Sequence, residues 1–258
     1  MSPSPRPRAA AGEIDALRRL LGLRERAARP ASHRAEVDRA LPGEEIAPGL
    51  RLLEARAPWP ALPEVVHLAA SPAQPLARER LLAFDTETTG LAGGTGTRAF
   101  MIGAADWHDG ALRLRQLYIT CLGAEGAMLR AFADWLREDT ALVSYNGRCY
   151  DAPLLATRYR LARLANPLAG LVHVDLLHAV RRRYRGLWPN CRLLTAERML
   201  LDVLREDDLP GAEAPQAWLT YLRGGAATNL RRVADHNAQD LRSLAGLLAH
   251  LAHLEANG

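Results

Sequence analysis

The chain has 258 residues, a formal net charge of +4 and 48% hydrophobic residues, a composition that excludes an intrinsically disordered protein. No apolar run approaches the roughly 20 residues that cross a bilayer, and the start of the chain lacks a signal-peptide core, so we expect a cytoplasmic protein without membrane association. Every one of the 33 basic residues is arginine, and this excess of positive charge permits nucleic-acid binding without demonstrating it.

The first 80 residues are predicted to be an N-terminal extension. Residues 1–8 are rich in proline and predict disorder, whereas the apolar residues at 14, 17, 20 and 21 have the spacing of a short helix. From about Ala28 to Arg80 the chain is rich in proline and offers only short apolar runs. We interpret this segment as an extended arm that packs on the main domain.

The main domain is expected over residues 81–258 and begins with three strands. Apolar runs begin at Leu81 and span Ala99–Trp107, and Asp109-Gly110 is a hairpin signal before a third run over Leu112–Ile119. Three strands joined by short turns predict an antiparallel meander.

Helices and strands alternate after the meander. The apolar pattern predicts a helix over 125–137, a strand over 141–145, a helix over 152–163, a strand over 171–177, and helices to the end. Antiparallel strands followed by crossover units indicate an α/β sheet with helices on its faces.

Two carboxylates, Asp85 and Glu87, lie two residues apart in the first strand of this domain. Side chains at this spacing point to the same face of a strand, where two buried acids repel each other unless a cation neutralises them. A hard divalent cation fits such oxygen ligands. The alternative interpretation is that Glu87 already lies beyond the strand in solvent.

Three further residues could join this pair. Asp151 follows the fourth strand, where ligand sites of open α/β sheets gather, although an aspartate there also suits a helix N-cap. His236 and Asp240 are one turn apart on the same side of a long C-terminal helix, which alone is a common surface arrangement.

The ordered combination of these motifs resembles the DEDD exonuclease superfamily and, more closely, its YprB-like, ribonuclease H-like domain family. The resemblance covers roughly Leu41 to His250. It rests on Asp-Thr-Glu-Thr-Thr-Gly-Leu at 85–91, Gly-Thr-Gly-Thr at 94–97, Tyr-Asn-Gly-x-x-Tyr-Asp at 145–151, His-x-Asp-Leu-Leu at 173–177 and His-Asn-x-x-Asp at 236–240. It implies a ribonuclease H-like mixed sheet of strand order 3-2-1-4-5, flanked by helices.

The resemblance also implies a metal-dependent 3′-to-5′ exonuclease that hydrolyses single-stranded DNA or RNA ends with two divalent cations, Mg²⁺ or Mn²⁺. Asp85 would bridge both ions, Glu87 and Asp240 would complete the site that holds the attacking water, and Asp151 would help to bind the second ion. His236 would accept the proton of that water. Only three residues separate His236 from Asp240, which is the spacing of the tyrosine subtype of these enzymes.

Four residues beside these acids are predicted to contact the substrate: Thr88, Asn146, Arg148 and Tyr150. Two other functions remain open. The same fold could serve a structure-selective endonuclease, because ribonuclease H-like sites perform both reactions. The chain could also be a nucleic-acid-binding module with little turnover.

Overall fold

The computed structural model describes residues 37–58, 62–68, 75–90, 95–206 and 208–256. Residues from Asp38 onward belong to one compact unit. The predicted disordered start, the predicted helix near residues 14–21, and residues 93 and 94 of the turn after the first strand all lie outside the described residues.

A seven-stranded mixed sheet forms the centre of this unit, with strand order β1-β2-β7-β6-β5-β8-β9. The strands β3 and β4 pair separately in a small antiparallel sheet. The bounds of the strands are β1 Glu44–Ala47, β2 Leu50–Ala57, β3 Val65–Val66, β4 Leu76–Ala77, β5 Leu81–Thr88, β6 Ala99–His108, β7 Ala111–Ile119, β8 Ala141–Ser144 and β9 Val172–Asp175.

The strand order predicted from the sequence is confirmed. The predicted strands one to five are β5, β6, β7, β8 and β9, and they lie in the order 3-2-1-4-5. β5, β6 and β7 pair antiparallel, whereas β8 pairs parallel to both β5 and β9. The β6–β7 hairpin turns at Asp109 and Gly110, whose φ angles of 50° and 74° suit the tight turn expected there.

The predicted arm before residue 81 contributes two strands to the sheet. β2 pairs with β7 along its whole length, from Leu50 opposite Ile119 to Ala57 opposite Leu112, and β1 pairs with β2. The boundary expected at residue 81 therefore does not coincide with an edge of the sheet. The pairing was not visible in the sequence because it joins segments about sixty residues apart.

Six α-helices lie among the described residues, and none of them is long and apolar enough to cross a membrane. The fifth predicted strand is shorter than expected, because it ends at Asp175 and a helix begins at Leu176. The bounds are α1 Glu125–Ala133, α2 Asp151–Leu161, α3 Leu176–Tyr184, α4 Leu193–Ala196, α5 Ala214–Leu222 and α6 Thr228–Ala256, with a π-helical turn over Glu197–Leu201.

Alternate residues of β5 belong to two different apolar clusters. Leu82 and Phe84 pack with α1, α2, α5 and the start of α6, whereas Leu81 and Ala83 pack with α3 and the second half of α6. Because side chains alternate along a strand, Asp85 and Glu87 continue the face of Leu81 and Ala83. The acidic pair therefore faces the long helix α6.

Candidate active site

Four acidic side chains from three separate segments meet at the end of β5. Burial, followed by the charges of Asp240, Asp151 and Glu87, raises the pKa of Asp85 well above its ordinary value. Glu87 is only 7% exposed, so the alternative in which it points into solvent is wrong. The acids predicted from the sequence therefore share one cluster, in which Glu87 is buried and Asp85, Asp151 and Asp240 are partly buried.

The remaining acids of the cluster respond in the same direction. Burial raises the pKa of Glu87 to about 8, against the opposing effect of His236, and raises the pKa of Asp151 to about 6. Burial also raises the pKa of Asp240, although His236 and Arg205 act to lower it. A nearby positive charge would favour the ionised form of these carboxyl groups and lower their raised pKa values.

A buried amide relay orients Asp85. Gln116 donates from Nε2 to the Ala234 carbonyl oxygen at 2.7 Å and to Asn237 Oδ1 at 2.9 Å, so Nδ2 of Asn237 donates to Asp85 Oδ2 at 2.8 Å. Gly103 lies opposite Asp85 on β6, and a Cβ atom there would lie 2.1 Å from Asn237 Oδ1. The glycine thus lets α6 approach the sheet closely enough for the relay to form.

Asp151 is placed by the loop between β8 and α2. Asp175 accepts hydrogen bonds from the backbone N–H groups of Asn146 at 2.7 Å and Arg148 at 3.2 Å, and Asn146 has a left-handed φ of 67°. Asp151 is the first residue of α2, no side chain caps that helix, and its Oδ1 accepts a hydrogen bond from Thr86. The loop anchor Asp175 is 2% exposed, so it is a buried structural acid.

The two residues on α6 meet a charged segment that follows the π-helical turn. His236 Nδ1 lies 2.7 Å from Asp208 Oδ1, and His236 Nε2 lies 3.6 Å from Asp240 Oδ2. Arg205 donates to Asp240 Oδ1 and forms a second ion pair with Glu197, which is fully buried. The spacing of His236 and Asp240 therefore brings both side chains to the same charged network.

Charge also favours the imidazolium form of His236. Burial acts to lower the pKa of His236, but Asp240, the hydrogen bond to Asp208 and the charge of Glu87 together raise it above its ordinary value. For Asp208, burial acts to raise the pKa, and the contacts with His236 and Arg205 lower it overall. Asp208 is thus an ionised acceptor for the imidazole.

A cavity of about 350 Å³ opens beside Asp85 and Asp151. Three of the predicted substrate contacts, Thr88, Asn146 and Tyr150, line it together with the two acids. Tyr150 is 58% exposed, so its ring is accessible to a ligand. The fourth predicted contact, Arg148, is exposed and is not part of this lining.

The chemistry of the donor set fits hard divalent cations, because all four acids offer carboxylate oxygens. Within the described part of the chain, no three histidine, cysteine, aspartate or glutamate side chains already form a group that could hold a metal ion. One oxygen of Asp151 accepts a hydrogen bond from Thr86, and one oxygen of Asp240 accepts a hydrogen bond from Arg205.

Several residues of the site carry little or no signal in the sequence. Asn237 lies between His236 and Asp240, yet its amide side chain carried no signal of its own. Arg205 and Asp208 belong to a run of charged residues, Arg-Glu-Asp-Asp at 205–208, followed directly by Leu-Pro-Gly. This run of charged residues directly before Leu-Pro-Gly is the signal by which the segment could have been found.

A comparison with known protein families identifies the superfamily of the chain. A model of the ribonuclease H superfamily matches residues 82–252, and the chain belongs to this superfamily. The matched region contains all four clustered acids.

The domain is YprB-like. Over 176 residues the chain is 34% identical to the uncharacterized protein YprB of Bacillus subtilis, which corresponds to 68% of this chain and 42% of that protein. The chain thus spans less than half the length of this relative.

The solved structure of a DNA polymerase shows the same fold. The family B DNA polymerase of the archaeon Pyrobaculum calidifontis aligns with a TM-score of 0.52 at 16% identity, over 70% of this chain and 28% of the polymerase. The EXO domain of Nibbler from Aedes aegypti aligns with a TM-score of 0.47 at 18% identity, over 69% of this chain and 82% of that domain.

Proposed function

We propose that this protein is a metal-dependent nuclease that removes nucleotides from the 3′ ends of single-stranded nucleic acid. The observation that carries the proposal is the cluster of Asp85, Glu87, Asp151 and Asp240. Burial raises the pKa of each of these four acids, and the charges of other acids in the cluster raise the pKa of Asp85 and Glu87 further. Membership of the ribonuclease H superfamily supports the same chemistry.

The four acids would hold two divalent cations, Mg²⁺ or Mn²⁺. When bound, such ions lower the pKa of a coordinated water and neutralise charge on the attacked phosphate and the leaving oxygen. The charges of all three other acids act on Asp85, so Asp85 would be the ligand shared by both ions. Glu87 and Asp240 would complete one ion site, and Asp151 would contribute to the other.

His236 is the proposed proton acceptor. The structure holds its Nδ1 atom against Asp208 and leaves Nε2 on the side of Asp240. In the neutral ring Nε2 then carries the lone pair that accepts a proton from the attacking water. The His236 imidazole lies 3.6 Å from Asp240, and its charge opposes the rise in the pKa of Glu87.

The 350 Å³ cavity would receive the terminal nucleotide. The exposed ring of Tyr150 offers a stacking surface for a base, and aromatic stacking of this kind tolerates any base sequence. Thr88 and Asn146 offer polar groups at the same wall. Recognition would therefore depend on an end that fits the cavity, and not on sequence.

The test compares end-labelled DNA and RNA single strands of matched sequence, with Mg²⁺, Mn²⁺ or a chelator. We expect stepwise release of nucleotides from the 3′ end with metal, none with chelator, and none for Asp240→Asn. The control Asp235→Asn changes an exposed aspartate of the same helix and should keep full activity. Residual nuclease in Asp240→Asn would refute the assignment of the site.

Closed single-stranded circles separate the exonuclease from an endonuclease, because circles have no ends. Cleavage of circles would replace the exonuclease with an endonuclease of the same fold. Binding of nucleic acid without any digestion, unchanged in Asp85→Asn, would favour the binding module.

A further inference from the structure

We propose that Arg205 and Asp208 are positioning residues for the active site: Asp208 sets the orientation of His236, and Arg205 holds Asp240. The inference rests on the proposed function, because it assigns both residues to the side chains that α6 contributes to that site. Neither residue would touch the substrate or a metal ion.

The contacts form two matched pairs. Arg205 and Asp208 are three residues apart in their segment, and they meet His236 and Asp240, which are four residues apart on α6. Arg205 Nη1 also donates to Asp208 Oδ2 at 3.2 Å, so the two positioning residues bind each other. One short segment thus fixes both functional side chains of the helix.

Each contact engages one polar atom of the functional side chain and leaves the other for the proposed chemistry. Asp208 binds His236 at Nδ1, and Arg205 binds Asp240 at Oδ1. The remaining atoms, His236 Nε2 and Asp240 Oδ2, lie 3.6 Å apart. The contacts of Arg205 and Asp208 therefore constrain both side chains of α6 without closing the site.

The Asp208 contact also selects the tautomer of His236. Arg205 Nη1 lies 3.3 Å from His236 Nδ1, but Nδ1 cannot accept a hydrogen bond from Arg205 while it donates one to Asp208. The 2.7 Å contact with the carboxylate is the shorter, and an ionised carboxylate can only accept. In the neutral ring the hydrogen is thus on Nδ1, and Nε2 is left as the proton acceptor.

Arg205 itself is held by Glu197 of the π-helical turn. It donates from Nε to Glu197 Oε2 at 2.8 Å and from Nη2 to Glu197 Oε1, which is a two-point contact. The Glu197 side chain is fully buried in the π-helical turn, and the Arg205 side chain is only 8% exposed. Such a fixed arginine can hold Asp240 in one rotamer, whereas a mobile surface arginine could not.

The first experiment reads the tautomer of His236 directly. Long-range ¹H–¹⁵N NMR of the full chain with chelator, at a pH that leaves the ring neutral, should show hydrogen on Nδ1 in the wild type. We expect Asp208→Ala to shift His236 toward the Nε2–H form, and Asp208→Asn to keep the wild-type tautomer because one acceptor oxygen remains. The control Glu206→Gln removes an exposed charge of the same segment and should change nothing. A wild-type tautomer in Asp208→Ala would overturn the role of Asp208.

The second experiment measures Mn²⁺ affinity by titration and nuclease kinetics. Loss of a partner of this kind typically weakens metal binding or activity about 10- to 100-fold. We expect Arg205→Gln to weaken Mn²⁺ binding by that amount, and Asp208→Ala to lower kcat by that amount at unchanged KM. The control Arg198→Gln replaces an exposed arginine of the adjoining π-helical turn. If Arg205→Gln does not fold, Arg205→Lys serves in its place, since it keeps the charge and loses the two-point contact.

Unchanged Mn²⁺ affinity in a folded Arg205 variant would overturn the role of Arg205. These outcomes are separable from failure of the proposed function. If the wild type neither binds Mn²⁺ nor digests nucleic acid, the nuclease assignment is wrong, and the NMR comparison still decides whether Asp208 orients His236.

Discussion

Replacing Glu87 with glutamine should stabilise the metal-free protein at neutral pH. Burial raises the pKa of Glu87 from 4.5 to about 8, so the native state keeps a proton that the unfolded chain has lost at pH 7. A carboxyl group whose pKa is raised by folding does not lower the free energy of unfolding below its unfolded pKa. Above that pKa it destabilises the native state, and the loss grows until the pH exceeds the folded pKa. At about 1.4 kcal/mol per pKa unit, this cost reaches roughly 3 kcal/mol at pH 7.

Urea unfolding with chelator at pH 5 and pH 7 measures the effect. The wild type should lose stability between the two values, whereas Glu87→Gln should lose much less and be the more stable protein at pH 7. Added Mg²⁺ should stabilise the wild type at pH 7 and do little for the variant, since binding to the native state alone adds to its stability. The exposed Glu44, replaced by glutamine, is the control. Equal stability of Glu87→Gln and the wild type at both pH values would refute the claim that the buried Glu87 carboxyl group destabilises the metal-free protein at pH 7.

Two further changes test the supports of the site. Gly103→Ala should cost about 1–3 kcal/mol of unfolding free energy and weaken Mg²⁺ binding, because the new Cβ would lie 2.1 Å from Asn237 Oδ1. The control Gly123→Ala places its Cβ in open space and should leave stability unchanged. Equal urea midpoints for the two variants would contradict this prediction. Arg158→Met should cost about 3 kcal/mol, because it leaves Glu125 in a buried place with one of its two arginine partners removed. A thermal melt that matches the wild type would show that this buried ion pair contributes little.

The parts of the site that could be read from the sequence are those that local spacing determines. The two-residue spacing of Asp85 and Glu87 sets a common face on any strand, and the four-residue spacing of His236 and Asp240 sets a common side on any helix. The hairpin at Asp109 was also local, since its turn residues adopt the positive φ angles that such turns require.

The parts that could not be read depend on contacts between distant segments. The strands β1 and β2 lie in a segment whose apolar runs are short, and only their pairing with β7 gives them a place in the sheet. Gly103 contributes through the side chain it lacks, which no residue pattern can signal. The contact of Arg205 with Asp240 joins residues 35 positions apart, and its geometry follows from the packing of a π-helical turn against α6.

The most direct test of the central claim is crystallography of the protein with Mn²⁺, read by anomalous scattering. We expect two peaks about 3.5–4 Å apart, as in two-metal sites, with Asp85 between them and the carboxylates of Glu87, Asp151 and Asp240 turned toward them. Absence of any peak at this cluster at millimolar Mn²⁺ would contradict the claim that these four acids form a metal centre.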